Sequence, residues 1–195
     1  MVGETRDRID RSDGELVRLC LAGDNSAYDE LVGRHQKLLY NYCYRMLGNA
    51  DDASDVVQEA FVNAYRALAR FRIDASFGAW LHRIAHNLCV DKHRARGRAG
   101  HCSIDDACDA GCEPADDDMS PPELAQLSEL GETLQKAIME LPPKYRSVVI
   151  MRHFQGMSIR EISEALKIPE GTVKANLHRA RSILRGKLSY LEATV

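Results

Sequence analysis

Apolar residues recur at helical spacing through most of this chain. Asp13 can cap a short helix that carries Leu16, Leu19 and Cys20 on one side. After Gly23, Ala27, Leu31, Leu38, Leu39, Tyr42 and Met46 mark a longer helix that stops at Gly48. A third begins near Asp51, with Ala53, Val56, Val57, Ala60, Phe61, Ala64, Tyr65 and Leu68 on its apolar side. A fourth starts after Ser76, carries Phe77, Trp80, Leu81, Ile84, Ala85, Leu88 and Cys89, and then turns basic. Leu124, Leu127, Leu130, Leu134, Ala137 and Ile138 form a further stripe. Pro142-Pro143 breaks it, and Pro143 suits the first turn of a helix bearing Tyr145, Val148, Val149 and Met151. No strand-like alternation competes, so the chain is expected to be all-α.

Residues 99–122 interrupt this pattern. They hold Gly100, Gly111, Pro114, Pro121 and Pro122 and show no apolar period. The segment is expected to be a flexible acidic linker between two small helical domains, 1–98 and 123–195, each with a modest core. Charge sharpens the division. Residues 99–123 carry eight acids and no Lys or Arg, while the whole chain is only −3. Everything outside that stretch therefore sums to +5, concentrated in Arg83–Arg98 and Lys174–Lys187. A near-neutral total is thus compatible with nucleic-acid binding, because local distribution decides. The absence of a long apolar run or a signal-peptide pattern points to the cytoplasm, where the six cysteines would stay mostly reduced.

The segment Ser158–Lys187 has the pattern of a helix-turn-helix. Ser158 and Glu161 are spaced as a capping box. Ile159, Ile162 and Leu166 supply the buried side of the first helix. Pro169 pre-sets the second, and Gly171 is expected to permit close packing or an unusual backbone angle. Val173, Leu177, Ala180 and Leu184 then share one side; Lys174, Ala175, His178, Arg179 and Ser182 share the other. Arg181, Arg185 and Lys187 flank it. Long cations reach phosphates or guanine edges, and small residues let the backbone approach the groove. A solvated charged helix would show the cations without the cap and the Pro-Gly break.

A second basic stretch interleaves aromatics and cations: Phe71, Arg72, Phe77, Trp80, His82, Arg83, His86, Asn87, Lys92, His93, Arg94, Arg96 and Arg98. Aromatic faces can stack on unpaired bases while cations hold the backbone. Asn87 offers both a donor and an acceptor. Spacing alone leaves open that some of these aromatics are core.

These two elements, in this order, resemble the bacterial extracytoplasmic-function (ECF) sigma factors, group 4 of the sigma-70 family. The matching blocks are AYDELVGRHQ at 27–36, DDASDVVQEAFVNAYRAL at 51–68, FRIDASFGAWLHRIAHNLCVDKHR at 71–94, LPPKYRSVVIMRHFQGMSIREISEAL at 141–166 and PEGTVKANLHRAR at 169–181. The resemblance implies sigma regions two and four, with no intermediate domain. It implies docking on the polymerase largest-subunit clamp helices through Asp55, Val56, Gln58, Glu59 and Phe61, with the flap as a further polymerase contact. Phe71, Trp80 and Asn87 match positions around the −10 element, where a base is flipped out; Arg83, Lys92 and Arg94 are the adjoining cations. Lys174, Ala175, His178 and Arg179, flanked by Arg181, match the face that reads −35 duplex. Many relatives place Arg-Ser where Lys174-Ala175 stand, which leaves the promoter sequence open. The partners implied are core polymerase, promoter DNA and, as in most relatives, an anti-sigma factor. No cofactor, small-molecule substrate or bond chemistry is implied.

A helix-turn-helix regulator that is not a sigma factor is the alternative; it would need neither the block at 55–61 nor the stretch at 80–98. An enzyme would need a nucleophile–base constellation or a phosphate loop, and neither is present. Cys20, Cys43 and Cys89 read as small core hydrophobes. His101, Cys102, Cys108 and Cys112 are candidate metal ligands or redox thiols. Their C-x5-C-x3-C spacing departs from zinc sites built on C-x2-C pairs, so no metal is expected. The resemblance implies that the acidic linker threads a polymerase channel that later carries RNA, as a mimic of a phosphate backbone; the other reading is that it shields the basic faces in the free protein. Deleting 101–118 should then raise DNA binding by the isolated factor at low salt, measured by fluorescence anisotropy; unchanged binding would exclude the shielding role.

Overall fold

The computed structural model describes residues 11–98 and 131–192, and every regular element among them is helical. In chain order these are α1 (Asp13–Leu21), α2 (Asn25–Leu47), α3 (Ala50–Ala67), a 3-10 turn (Leu68–Arg70) and α4 (Phe77–Arg98). Then follow α5 (131–139), α6 (Pro143–Val149), a π-helical turn (Ile150–Phe154), α7 (Ile159–Leu166) and α8 (Glu170–Glu192). The expected linker, with Leu124, Leu127, Leu130 and the four candidate ligands His101, Cys102, Cys108 and Cys112, lies outside the described residues.

Local chemistry sets the helix ends. The cap of α1 is Ser12 and not Asp13: Ser12 Oγ accepts from the Glu15 N–H at 3.3 Å, and the Glu15 carboxylate accepts from the Ser12 N–H at 2.7 Å. Asp13 instead accepts from Arg34 at 3.2 Å and pairs with His35 at 2.7 Å, tying α1 to α2. Gly48 ends α2 at φ 72°, where a side chain would be strained. Pro142 and Pro143 open α6 as expected. The Ser158–Glu161 box forms, at 3.2 and 2.8 Å. Gly171 has neither role expected of it: nothing approaches the place of its Cβ, and its φ is ordinary. It is an exposed first-turn residue of α8. The left-handed residue in this motif is Lys167, at φ 54°, which turns the chain out of α7.

Helices α1–α4 bury Leu16, Leu31, Leu39, Tyr42, Ala53 and Leu81; α6–α8 bury Val148, Met151, Ile162, Val173 and Ala180. Two separate modest cores were the expectation. The buried apolar side chains instead form one continuous cluster, because α7 lies against α4 while α6 and the π turn lie against α2. Cys43 and Cys89 are fully buried in it, and Cys20 is partly buried.

Arg146 joins the two halves. It is 4% exposed, and its guanidinium donates to the Met46 carbonyl at 2.6 Å, to Leu141 at 3.1 Å and to Met139. These carbonyls lie at the C-terminal ends of α2 and α5, which have no partner further along their own helices. Burial pushes the guanidinium pKa down, but arginine remains charged. Replacing Arg146 with Ala should cost about 3 kcal/mol, since it strands several buried acceptors. Lys should not restore it, lacking the planar fork. Urea unfolding of the three proteins checks both.

Candidate nucleic-acid interface

Helix α8 separates its two functions by face. Val173, Leu177 and Ala180 are buried, and Lys174, Ala175, His178, Arg179 and Arg181 are all exposed. Among the described residues no carboxylate lies within ion-pair distance of Lys174 or Arg181; Arg179 reaches the Tyr145 hydroxyl. The face is therefore an unneutralised cationic surface with a small residue at its centre. Arg152, His153, Ile159, Lys174, Leu177 and Arg181 line a hollow of about 320 Å³ beside it. Sequence reasoning missed Arg152 and His153 as members of this surface. They precede the Ser158 cap, and only the π turn after α6 brings them alongside α8.

Helix α4 divides three ways. His82, His86 and Cys89 turn inward: Tyr42 stacks edge-on against His82, and its hydroxyl lies 2.9 Å from His86 Nδ1. Trp80, Arg83, Asn87 and Arg94 fall within about 60° of one another at 100° per residue, forming one outward stripe. Asn87 and Arg94 are exposed, Trp80 and Arg83 partly so. Lys92 points elsewhere, pairing with Asp52 at 2.7 Å and Asp55 at 3.2 Å on α3, beside Arg96 on Asp52. Arg94 lies 3.5 Å from Asp91. Phe71 is 8% exposed and packs with Phe77 and Trp80 at ring separations of 5.7 and 5.0 Å. Of that trio, Trp80 is the ring with an accessible edge.

On α3, Val56 and Phe61 are buried, and Asp55, Gln58 and Glu59 are exposed. Gln58 also lines a groove of about 360 Å³ between α2 and α3, with Gly33, Gln36, Lys37, Tyr40, Ser54 and Val57. The buried pair fixes the helix and the polar trio faces outward.

Residues 31–99 match the family model for sigma-70 region 2, and residues 131–184 match that for sigma-70 region 4. The chain is 38% identical over 170 residues to the ECF RNA polymerase sigma factor SigW of Bacillus subtilis, covering 85% of this chain and 91% of that one. It is 36% identical over 184 residues to the ECF RNA polymerase sigma-E factor of Escherichia coli K12, covering 92% and 96%. This chain belongs to the ECF sigma factors. Among solved structures, it is similar to CnrH in complex with the cytosolic domain of CnrY, at TM-score 0.68 and 26% identity, covering 92% of this chain and 99% of that one. It shares the fold of the sigma factor RpoE of Bartonella quintana, solved with the anti-sigma factor NepR, at TM-score 0.67 and 22% identity over 83% and 96%.

The match to region 2 answers the alternative of a plain helix-turn-helix regulator, which has no use for it. In this sigma factor, both expected basic elements lie on described helices. Among the described residues no group of three or more His, Cys, Asp or Glu could hold a metal ion, and no helix is long and apolar enough to cross a membrane.

Burial pushes the His86 pKa down from 6.5 to about 4. As the pH falls from about 6.5 to 4, the unfolded chain takes up this proton and the folded one does not. Stability should therefore be level above pH 7 and fall across that window by on the order of 3 kcal/mol. Burial pushes His82 in the same direction. In urea titrations across pH, His86→Gln should flatten part of the fall, because a neutral amide can still accept from Tyr42.

Proposed function

We propose that the two halves of this sigma factor divide the work of promoter recognition. The observation that carries the reading is the exposed, unneutralised face of α8. Lys174, Ala175, His178 and Arg179 would enter the −35 major groove, with Arg181 on an adjacent phosphate. The stripe of α4 would hold the melted −10 strand: Trp80 stacks, Asn87 reads a base edge, and Arg83 and Arg94 hold phosphates. Phe71 supports Trp80 from below. Lys92 would serve by locking α4 to α3, and so orient the stripe relative to Asp55.

Core polymerase would dock on Asp55, Gln58 and Glu59, while Val56 and Phe61 keep that helix in place. The factor then acts by binding alone, without bond chemistry, in the cytoplasm where polymerase and DNA meet. Its regulator would be a protein of the anti-sigma kind, as CnrH is solved with the cytosolic domain of CnrY.

Two substitutions separate the roles. Arg179→Ala should weaken binding to −35 duplex and relax discrimination at the base pair it meets, leaving affinity for core polymerase unchanged. Glu59→Lys should do the reverse. Both are read by anisotropy and by promoter-specific transcription with sigma-free core polymerase. Loss of core binding in Arg179→Ala, or of duplex binding in Glu59→Lys, would contradict the division.

A further inference from the structure

We propose that Asp13 and His35 are positioning residues for capture of the −10 strand: acting through Phe77, they fix the ring of Trp80 where an unpaired base can stack on it. The inference rests on the reading of Trp80 as the stacking ring of α4. A side chain at Gly78 would come within 3.3 Å of His35 Cε1 and 3.6 Å of its Nδ1. The imidazole therefore lies over the first turn of α4, in space that only a glycine leaves. The same ring meets Phe77 at 5.3 Å between centroids and 54° between planes. Phe77 lies 5.7 Å from both Phe71 and Trp80, and Phe71 lies 5.0 Å from Trp80. Four rings thus run from α2 to the one with an accessible edge, at the separations and tilts that aromatic pairs favour.

The far end of this row is anchored by charge. His35 Nε2 lies 2.7 Å from Asp13 Oδ2, and Arg34 Nη1 donates to Asp13 Oδ1 at 3.2 Å and to the Arg11 carbonyl at 2.6 Å. His35 and, behind it, Arg34 hold the Asp13 carboxyl below its usual range. A carboxylate on one ring nitrogen fixes the orientation of an imidazole, and a site is placed accurately only when its supporting side chains are themselves locked. Gly14 adds a second contact: a Cβ there would lie 3.5 Å from Ile73 Cγ2 and 3.5 Å from the Ile73 carbonyl. The first turn of α1 therefore bears on segment 71–77 twice, directly at Ile73 and through His35 at the start of α4. Ser76 completes that start, its Oγ accepting from the Ala79 N–H at 3.2 Å. An ion pair that only tied α1 to α2 would need neither the seat on Gly78 nor the ring against Phe77.

The test uses the full chain with Asp13→Ala and, separately, His35→Phe, which keeps a ring against Phe77 but has no nitrogen for Asp13. Trp80 is the only tryptophan in the sequence, so intrinsic fluorescence of the free protein reports on that ring alone. Acrylamide should quench each variant more steeply than the wild type. Reconstituted with core polymerase, each should bind a single-stranded non-template −10 oligonucleotide about fivefold more weakly, while the free variants bind −35 duplex as the wild type does. The double variant should be no weaker than the weaker single one, because both substitutions break the same relay. Circular dichroism checks folding, and Asp13→Ala, at a part-exposed helix start, decides alone should His35→Phe not fold. Wild-type quenching or wild-type strand affinity in the folded variants, or an equal loss on −35 duplex, would overturn the proposal. Trp80→Ala in the same strand assay keeps the two readings apart. If it also leaves strand binding unchanged, the −10 role of Trp80 fails; if it alone weakens binding, only the roles of Asp13 and His35 fail.

Discussion

The carbonyls at the end of an α-helix need donors, and burying them without donors is costly. The end of α2 faces that constraint, because the second half of the chain lies over it. Arg146 meets it from outside, with one guanidinium spanning the last turn of α2 and the end of α5. Arg96 adds a longer contact to the Leu47 carbonyl at 3.4 Å. The negative end of the α2 dipole favours the cations that gather there. This polar seam lets two groups of helices share one apolar cluster.

Function is distributed by helix face around that body. On α8 the apolar side is committed to packing, which leaves the cationic side rigidly presented. On α4 the inward side holds His82, His86 and Cys89, and one flank is held to α3 by Lys92 and Arg96 on Asp52. The stripe from Trp80 to Arg94 faces outward, with Arg94 paired to Asp91. The ion pairs on the flank also place that stripe in a fixed relation to Asp55, Gln58 and Glu59. The basic run in the sequence thus includes cations paired to α3, Lys92 and Arg96, and others that are not.

Much of this was legible in the chain. The four N-terminal helices, the Pro-led α6, the Ser158 capping box and the two-faced α8 follow from spacing and cap chemistry, because those signals act within one or two helical turns. The aromatic stretch was legible only as a set. Periodicity does not say which of Phe71, Phe77 and Trp80 faces solvent, since all three lie near one another and bury against the same elements. The roles of Ser12 over Asp13 and of Lys167 over Gly171 were also out of reach. The first depends on a tertiary partner, since Asp13 is taken by Arg34 and His35; the second depends on where α7 ends, with the Lys167 N–H closing on the Ser163 carbonyl.

The sequence by itself determined the helices, their order, the cationic faces and the family, because period, caps and motif blocks are local properties written in residue order. The tertiary structure alone decided that the halves close on each other, that Lys92 is a brace, and that Arg146 serves the seam. Those outcomes depend on which helix ends and side chains are brought together across about forty to a hundred residues of chain. A buried carbonyl accepts from whichever donor arrives, and no local pattern names that donor.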